Sequence, residues 1–141
     1  MRNKHGPKVY IVEDDLELST VLDRILWSID PNIQMNWTTS AEEAMHHLKE
    51  VRHKADGKPY DLIIADIFLD GPATGVDLWR LSKQYLPKVP LVLTSALSAE
   101  KFLASVDCFE ICPPFLAKPF SISDCRQILK STLNGVSHAE N

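Results

Sequence analysis

The chain has 141 residues, 45% hydrophobic and 24% charged, with a formal net charge of −4. That length supports one hydrophobic core of ordinary size, and the composition is that of a globular chain rather than a disordered one. No apolar run approaches the roughly 20 residues that cross a bilayer, and the scattered lysines and arginines give no basic surface of the kind nucleic acid requires.

Taken in chain order, Lys8 to Val12 (KVYIV) is a short β-branched apolar run and is predicted as a strand. Val21, Leu22, Ile25, Leu26 and Ile29 follow at helical spacing from Leu18, and Pro31 and Asn32 end that helix. Ile33 to Trp37 alternates as a second strand. Ser40 and Glu43 have the spacing of a capping box, opening a helix with Ala41, Ala44, Met45, Leu48 and Val51 inward. His46 and His47 lie on that helix, where at most one of them can face the core. The segment HKADGKP is a loop. Leu62 to Asp66 (LIIAD) is the third strand, and a helix from about Gly75 to Tyr85 carries Leu78, Leu81 and Tyr85 on one side. Val89 to Thr94 is the fourth strand, Ser98 to Val106 a short helix, and Phe115 to Ala117 the fifth strand. Ser121 opens a last helix with Ile122, Cys125, Ile128, Leu129 and Leu133 inward, and Gly135 is expected to end it. Residues 1–7 and 135–141 are then flexible extensions of a domain spanning 8–134. Trp27, Trp37 and Trp79 are assigned to the core or its rim. Met1 to Pro7 lacks the apolar run of a secretion signal, so Cys108, Cys112 and Cys125 are read as reduced, packed thiols of a cytoplasmic chain.

Strict alternation of strand and helix implies one five-stranded parallel sheet with helices on both faces. In such sheets the site lies beyond the carboxyl ends of the strands. There the first strand is followed by Glu13, Asp14 and Asp15, and the third ends on Asp66. The fourth ends on Thr94 and Ser95, the fifth on Lys118 and Pro119. Carboxylates gathered in one crevice repel one another, and a hard divalent cation such as Mg²⁺ relieves that repulsion. Sites that hold phosphate directly place glycine or Ser/Thr amide nests after the first strand, whereas the acidic segment EDDLELS repels phosphate and attracts metal. A phosphoryl group therefore reaches a carboxylate with a metal between them, and Asp66 becomes the nucleophile. Asp15 is assigned to the helix start instead.

In order, Glu13-Asp14, Asp66, Ser95 and Lys118-Pro119-Phe120 resemble the signature of response-regulator receiver domains of two-component signalling, over about residues 8–134. The resemblance implies a flavodoxin-like, doubly wound (βα)5 α/β fold in a single domain. It implies Asp66 as phosphoacceptor, with Mg²⁺ held by Glu13, Asp14, Asp66 and the backbone carbonyl of Phe68. It also implies Lys118 as the cation that meets the phosphoryl group, and Ser95 as the switch hydroxyl, or Thr94 if the register slips by one. A cis bond before Pro119 is implied as well. Phe115 falls at the position of a switch aromatic, with plain core packing as the alternative. The donor would be a sensor histidine kinase or a histidine phosphotransfer protein. Effectors or a second copy would bind through the last helices and fifth strand, with neither nucleic acid nor membrane contacted directly. The chain would be a signalling receiver rather than an enzyme, either stand-alone or part of a longer kinase or transcription factor. A small Mg²⁺-dependent phosphatase is the rival, but such enzymes need an acid two residues after the nucleophile, where this chain has Phe68. The loop after Asp66 departs from the common form: it is one residue longer, and Asp70 stands where a proline is usual, read as a solvated turn residue.

Overall fold

The computed structural model describes residues 6–69, 71–96 and 113–139, the side chains of 135–139 excepted. The predicted helix at 98–106, Asp70, Leu97, Cys108 and Cys112 lie outside the described residues.

Strands β1 (Lys8–Val12), β2 (Gln34–Thr38), β3 (Leu62–Asp66), β4 (Leu91–Ser95) and β5 (Phe115–Ala117) form one sheet in the order β2-β1-β3-β4-β5. All pairings are parallel. Helices α1 (Leu16–Ile29), α2 (Ala41–Val51), α3 (Gly75–Tyr85) and α4 (Ile122–Ala139) cover it. Alternation along the strands sorts side chains to two cores. Tyr10, Val12, Ile63, Ala65, Leu91 and Leu93 pack with Ala44 and Leu48 of α2 and with Val76, Leu78 and Trp79 of α3. Val9, Ile11, Leu62, Ile64, Val92 and Leu116 pack with Leu22, Ile25 and Leu26 of α1 and with Cys125 and Leu129 of α4. The five-stranded, doubly wound sheet expected from the alternation of elements is thus the fold observed.

The assignment of Asp15 to the helix start holds: α1 opens at Leu16, and the Asp15 carboxylate accepts the N–H groups of Glu17 and Leu18 at 3.0 and 3.3 Å. Other local expectations are refined or corrected. Val21 lies on the outer side of α1 and is exposed. The Ser40 hydroxyl accepts the Glu43 N–H at 3.1 Å, but the Glu43 carboxylate takes the Thr38 hydroxyl at 2.7 Å, so the box is not reciprocal. The reciprocal box is at Thr74 and Asp77, opening α3. On α3 the inward line is Val76, Leu78, Trp79 and Ser82, with Leu81 half-buried; Tyr85 turns outward beneath the Arg52 guanidinium. The β2 and β4 strands sit one and two residues later than predicted at their starts. Gly135 does not end the last helix, which runs to Ala139. An interior glycine costs a helix only about 1 kcal/mol relative to alanine and does not by itself break it. Trp79 is core, whereas Trp27 and Trp37 are half-exposed at the rim. His47 turns inward, with its Nε2 at 2.7 Å from the Tyr60 hydroxyl, and His46 stays exposed beside Glu50.

Candidate functional site

The carboxyl edge of the sheet is assembled strand by strand. Glu13 continues β1 in register, its N–H donating to the Thr38 carbonyl at 3.0 Å, which keeps its side chain buried. Asp14 follows in the turn before α1 and is exposed. Asp66 ends β3 opposite Thr94, and the Ile67 N–H donates to the Thr94 carbonyl at 2.9 Å. Ser95 lies one residue farther along the edge, opposite Ala117, and its carbonyl accepts the Lys118 N–H at 2.7 Å. The Lys118–Pro119 bond is cis.

These placements converge. Carboxylate oxygens of Glu13, Asp14 and Asp66 lie within 4.8 Å of one another. The Lys118 ammonium donates to Asp66 Oδ2 at 2.9 Å and to Glu13 Oε1 at 3.2 Å. The second oxygens are also engaged: Glu13 Oε2 accepts the Asp15 N–H and Asp66 Oδ1 the Phe68 N–H, each at 3.2 Å. Burial and the neighbouring Asp66 charge push the Glu13 carboxyl up to about 7, against the pull of Lys118. Burial alone would lower Lys118, but the hydrogen bond and charge of Asp66, with Glu13 behind them, outweigh it and hold the ammonium above the ordinary lysine value.

Three carboxylates and one ammonium leave a formal surplus of two negative charges in the crevice. The donor set is all hard oxygen, which suits Mg²⁺ and not a softer metal, and a divalent cation would cancel the surplus. The residues therefore fit the ion that the sequence implies.

Backbone packing beneath the site is close. The N–H of Gly75 donates to the Ile67 carbonyl at 2.9 Å, and a Cβ on Gly75 would come within 2.3 Å of the Asp66 carbonyl oxygen. Only glycine permits α3 to start there. Of the residues singled out from sequence, Glu13, Asp14, Asp66 and Lys118 come together, with Ser95 on the adjoining strand end. Phe68 lies two residues past Asp66 and is 55% exposed. Phe115 is half-buried against the α2/α3 core at the start of β5. Sequence reading missed Glu42, whose carboxylate holds the loop after Asp66 from a distance of 31 residues. A surface helix position gives no sequence signal of such a contact.

No family model and no curated protein sequence matches the chain. Solved structures do. A response regulator receiver protein from Sinorhizobium medicae superposes with a TM-score of 0.72 at 22% identity, over 95% of this chain and 99% of that one. The receiver domain of a sensor histidine kinase from Pseudomonas aeruginosa, solved with magnesium coordinated in its active-site cleft, gives 0.68 at 20% identity, over 92% and 98%. A phosphorylated cyanobacterial phytochrome response regulator gives 0.66 at 21%, over 89% and 90%. At these identities the likeness concerns the fold, and the fold is that of receiver domains.

Proposed function

We propose that this chain with the receiver-domain fold is a phosphoacceptor: Asp66 takes a phosphoryl group from a phosphohistidine, and the change in site charge switches the binding of a partner. The observation that carries the reading is the placement of Asp66 at a sheet edge, 2.9 Å from Lys118 and grouped with Glu13 and Asp14. An Asp66 carboxylate oxygen attacks phosphorus as the P–N bond breaks, and the electron pair of that bond goes to the imidazole nitrogen. Little covalent machinery is needed, so the protein contributes positioning and charge. Mg²⁺ held by Glu13, Asp14, Asp66 and the Phe68 carbonyl would supply neutralisation of the carboxylate and phosphoryl charges. Lys118, already hydrogen-bonded to Asp66, is placed to pair with a phosphoryl oxygen, and the Ser95 hydroxyl to donate to another. Contacts made only in the phosphorylated state are what shifts a two-state equilibrium. Phe115 then follows as the switch aromatic, and β5 with α4 is the surface that an effector or second copy reads.

The donor is a sensor histidine kinase or histidine phosphotransfer protein, which puts the reaction in the cytoplasm. The chain acts as a signalling receiver and turns over no substrate beyond its own phosphoryl group. Among the described residues no helix is long and apolar enough to cross a membrane. Incubation with acetyl phosphate tests the reading. Intact mass should rise by one phosphoryl group with Mg²⁺ present, and should not rise without Mg²⁺ or in Asp66→Asn. Uptake by Asp66→Asn, or none by the wild type with Mg²⁺, would overturn it.

A further inference from the structure

The chain leaves β3 at Asp66 and comes back beneath it at Gly75, and the path between them is fastened at several points. Ile67 is buried and Leu69 packs on the α2/α3 core. Thr74 is fixed by the Asp77 carboxylate, which accepts its N–H at 2.8 Å. The first two contacts are apolar, and the third lies within the loop and the helix it enters. One polar fastening comes from a different helix. Glu42, in the first turn of α2, accepts the Ala73 N–H at 2.6 Å. Its carboxylate also lies against Gly71 (φ +101°), where a Cβ would come within 2.9 Å of Oε1. Glu42 is half-buried, and among the described residues no cation is paired with it. A carboxylate accepting a backbone N–H makes a charge-assisted bond, about twice as strong as a neutral one.

We infer that Glu42 is a positioning residue for the cation site: by clamping residues 71–73 to α2 it fixes the course of the loop and so the aim of the Phe68 carbonyl. Phe68 needs such help, since it is 55% exposed and, among the described residues, belongs to neither core. The inference rests on reading Glu13, Asp14, Asp66 and the Phe68 carbonyl as the ligands, and adds a residue outside that set. Partners one shell beyond a metal's ligands typically change its affinity by about 10–100-fold.

Two conservative variants of the full chain separate the clamp from the charge. Glu42→Asp keeps the charge and loses reach; Glu42→Gln keeps reach and an acceptor oxygen but loses the charge. Mg²⁺ binding is measured by calorimetry, and phosphorylation by acetyl phosphate is followed as Mg²⁺ is raised. Glu42→Asp should bind Mg²⁺ about tenfold more weakly, reach the wild-type rate at saturating Mg²⁺, and exchange the Ala73 amide hydrogen faster. Glu42→Gln should lose about threefold or less, because a neutral acceptor keeps a weaker version of the bond. Wild-type affinity in Glu42→Asp, or a loss in Glu42→Gln as large as in Glu42→Asp, overturns the clamp while leaving the reading of the site intact. A wild-type chain that binds no Mg²⁺ overturns both.

Discussion

The middle of the sheet and its carboxyl edge are built from the same strands and buried to the same degree, yet they carry opposite chemistry. In the middle, Val9, Ile11, Val12, Leu62, Ile63, Ile64, Val92 and Leu93 are almost wholly removed from water. Two ionisable groups in this interior, Tyr10 and Cys125, are held neutral because burial pushes both pKa values up. One residue farther along the strands, Glu13, Asp66, Thr94 and Ser95 are all less than 8% exposed and all polar. Burial therefore does not distinguish core from site here; the polarity of the side chains at the strand ends does. The apolar middle contributes the stability, at roughly 25 cal/mol per Å² of apolar surface removed from water. That stability lets the edge hold three carboxylates close together.

The comparison breaks if the two regions respond alike to truncation. Ile64→Ala, in the middle of β3, should lower unfolding free energy in urea by about 2–5 kcal/mol, as expected for a buried aliphatic cut to alanine. Asp66→Asn, two residues on, should change it by no more than about 1 kcal/mol, since Lys118 keeps Glu13 as its partner and a surplus charge is removed. Phosphoryl uptake should show the reverse pattern, lost in Asp66→Asn and retained by the folded fraction of Ile64→Ala. Equal losses of stability would mean that the edge is structural after all.

A pH-dependent contrast comes next in size. The Cys125 thiol is pushed up to about 11 by burial in the aliphatic core, from an ordinary value of 9.0. The fold favours the neutral thiol, so this group's contribution to stability is complete below pH 9 and is lost as pH rises through about 11. Alkylation by iodoacetamide at pH 8, read on the peptide carrying Cys125, should be roughly 100-fold slower in the folded chain than in denaturant. A rate equal to the denatured one would show that this core admits charge and solvent.

The same division explains what could be read from sequence. The middle was legible because parallel strands buried on both faces are near-continuous apolar runs, as in LIIAD and LVLTS. The edge was legible because Glu13-Asp14, Asp66, Ser95 and Lys118 stand in order at four strand ends; Asp66 alone would read as an ordinary strand-end turn residue. Contacts between elements were not legible. Glu42 to Ala73, Tyr60 to His47 and Arg126 to Ser28 join positions whose residue types are ordinary for a helix surface or loop. The Thr74–Asp77 box was missed while half a box was found at Ser40, because Glu43 had a competing partner in Thr38 that spacing cannot reveal. Register was the remaining difficulty: a strand ending in two hydroxyl residues does not say which of them serves the site.

That ambiguity can be settled by stability as well as by function. Among the described residues Thr94 Oγ1 is buried without a hydrogen-bond partner, which is costly for a hydroxyl. Thr94→Val keeps the shape and removes the polar atom, so it should stabilise the chain by about 1 kcal/mol and leave phosphorylation and switching unchanged. Ser95→Ala should impair the response to phosphorylation. If Thr94→Val abolishes that response and Ser95→Ala does not, the switch hydroxyl belongs to Thr94, and its unpaired state before phosphorylation acquires a purpose.

The smallest effect concerns Phe68, a large apolar side chain standing at the polar edge. Phe68 is 55% exposed two residues beyond Asp66, where its side chain is only partly covered and offers no hydrogen bond to solvent. Loss of the phosphoryl group requires a water aligned with phosphorus, and an aromatic ring offers that water no partner. Phe68→Asn supplies a donor and an acceptor at the same place. After removal of acetyl phosphate, the phosphorylated mass should decay faster in the variant, by up to about tenfold, which corresponds to 1.4 kcal/mol of barrier. The Phe68 carbonyl is unchanged by the substitution, so Mg²⁺ affinity should stay at the wild-type value and separate this effect from the Glu42 clamp. An unchanged or slower decay would show that attack by water is limited elsewhere, and that the exposed ring at this edge has some task other than shielding the acyl phosphate.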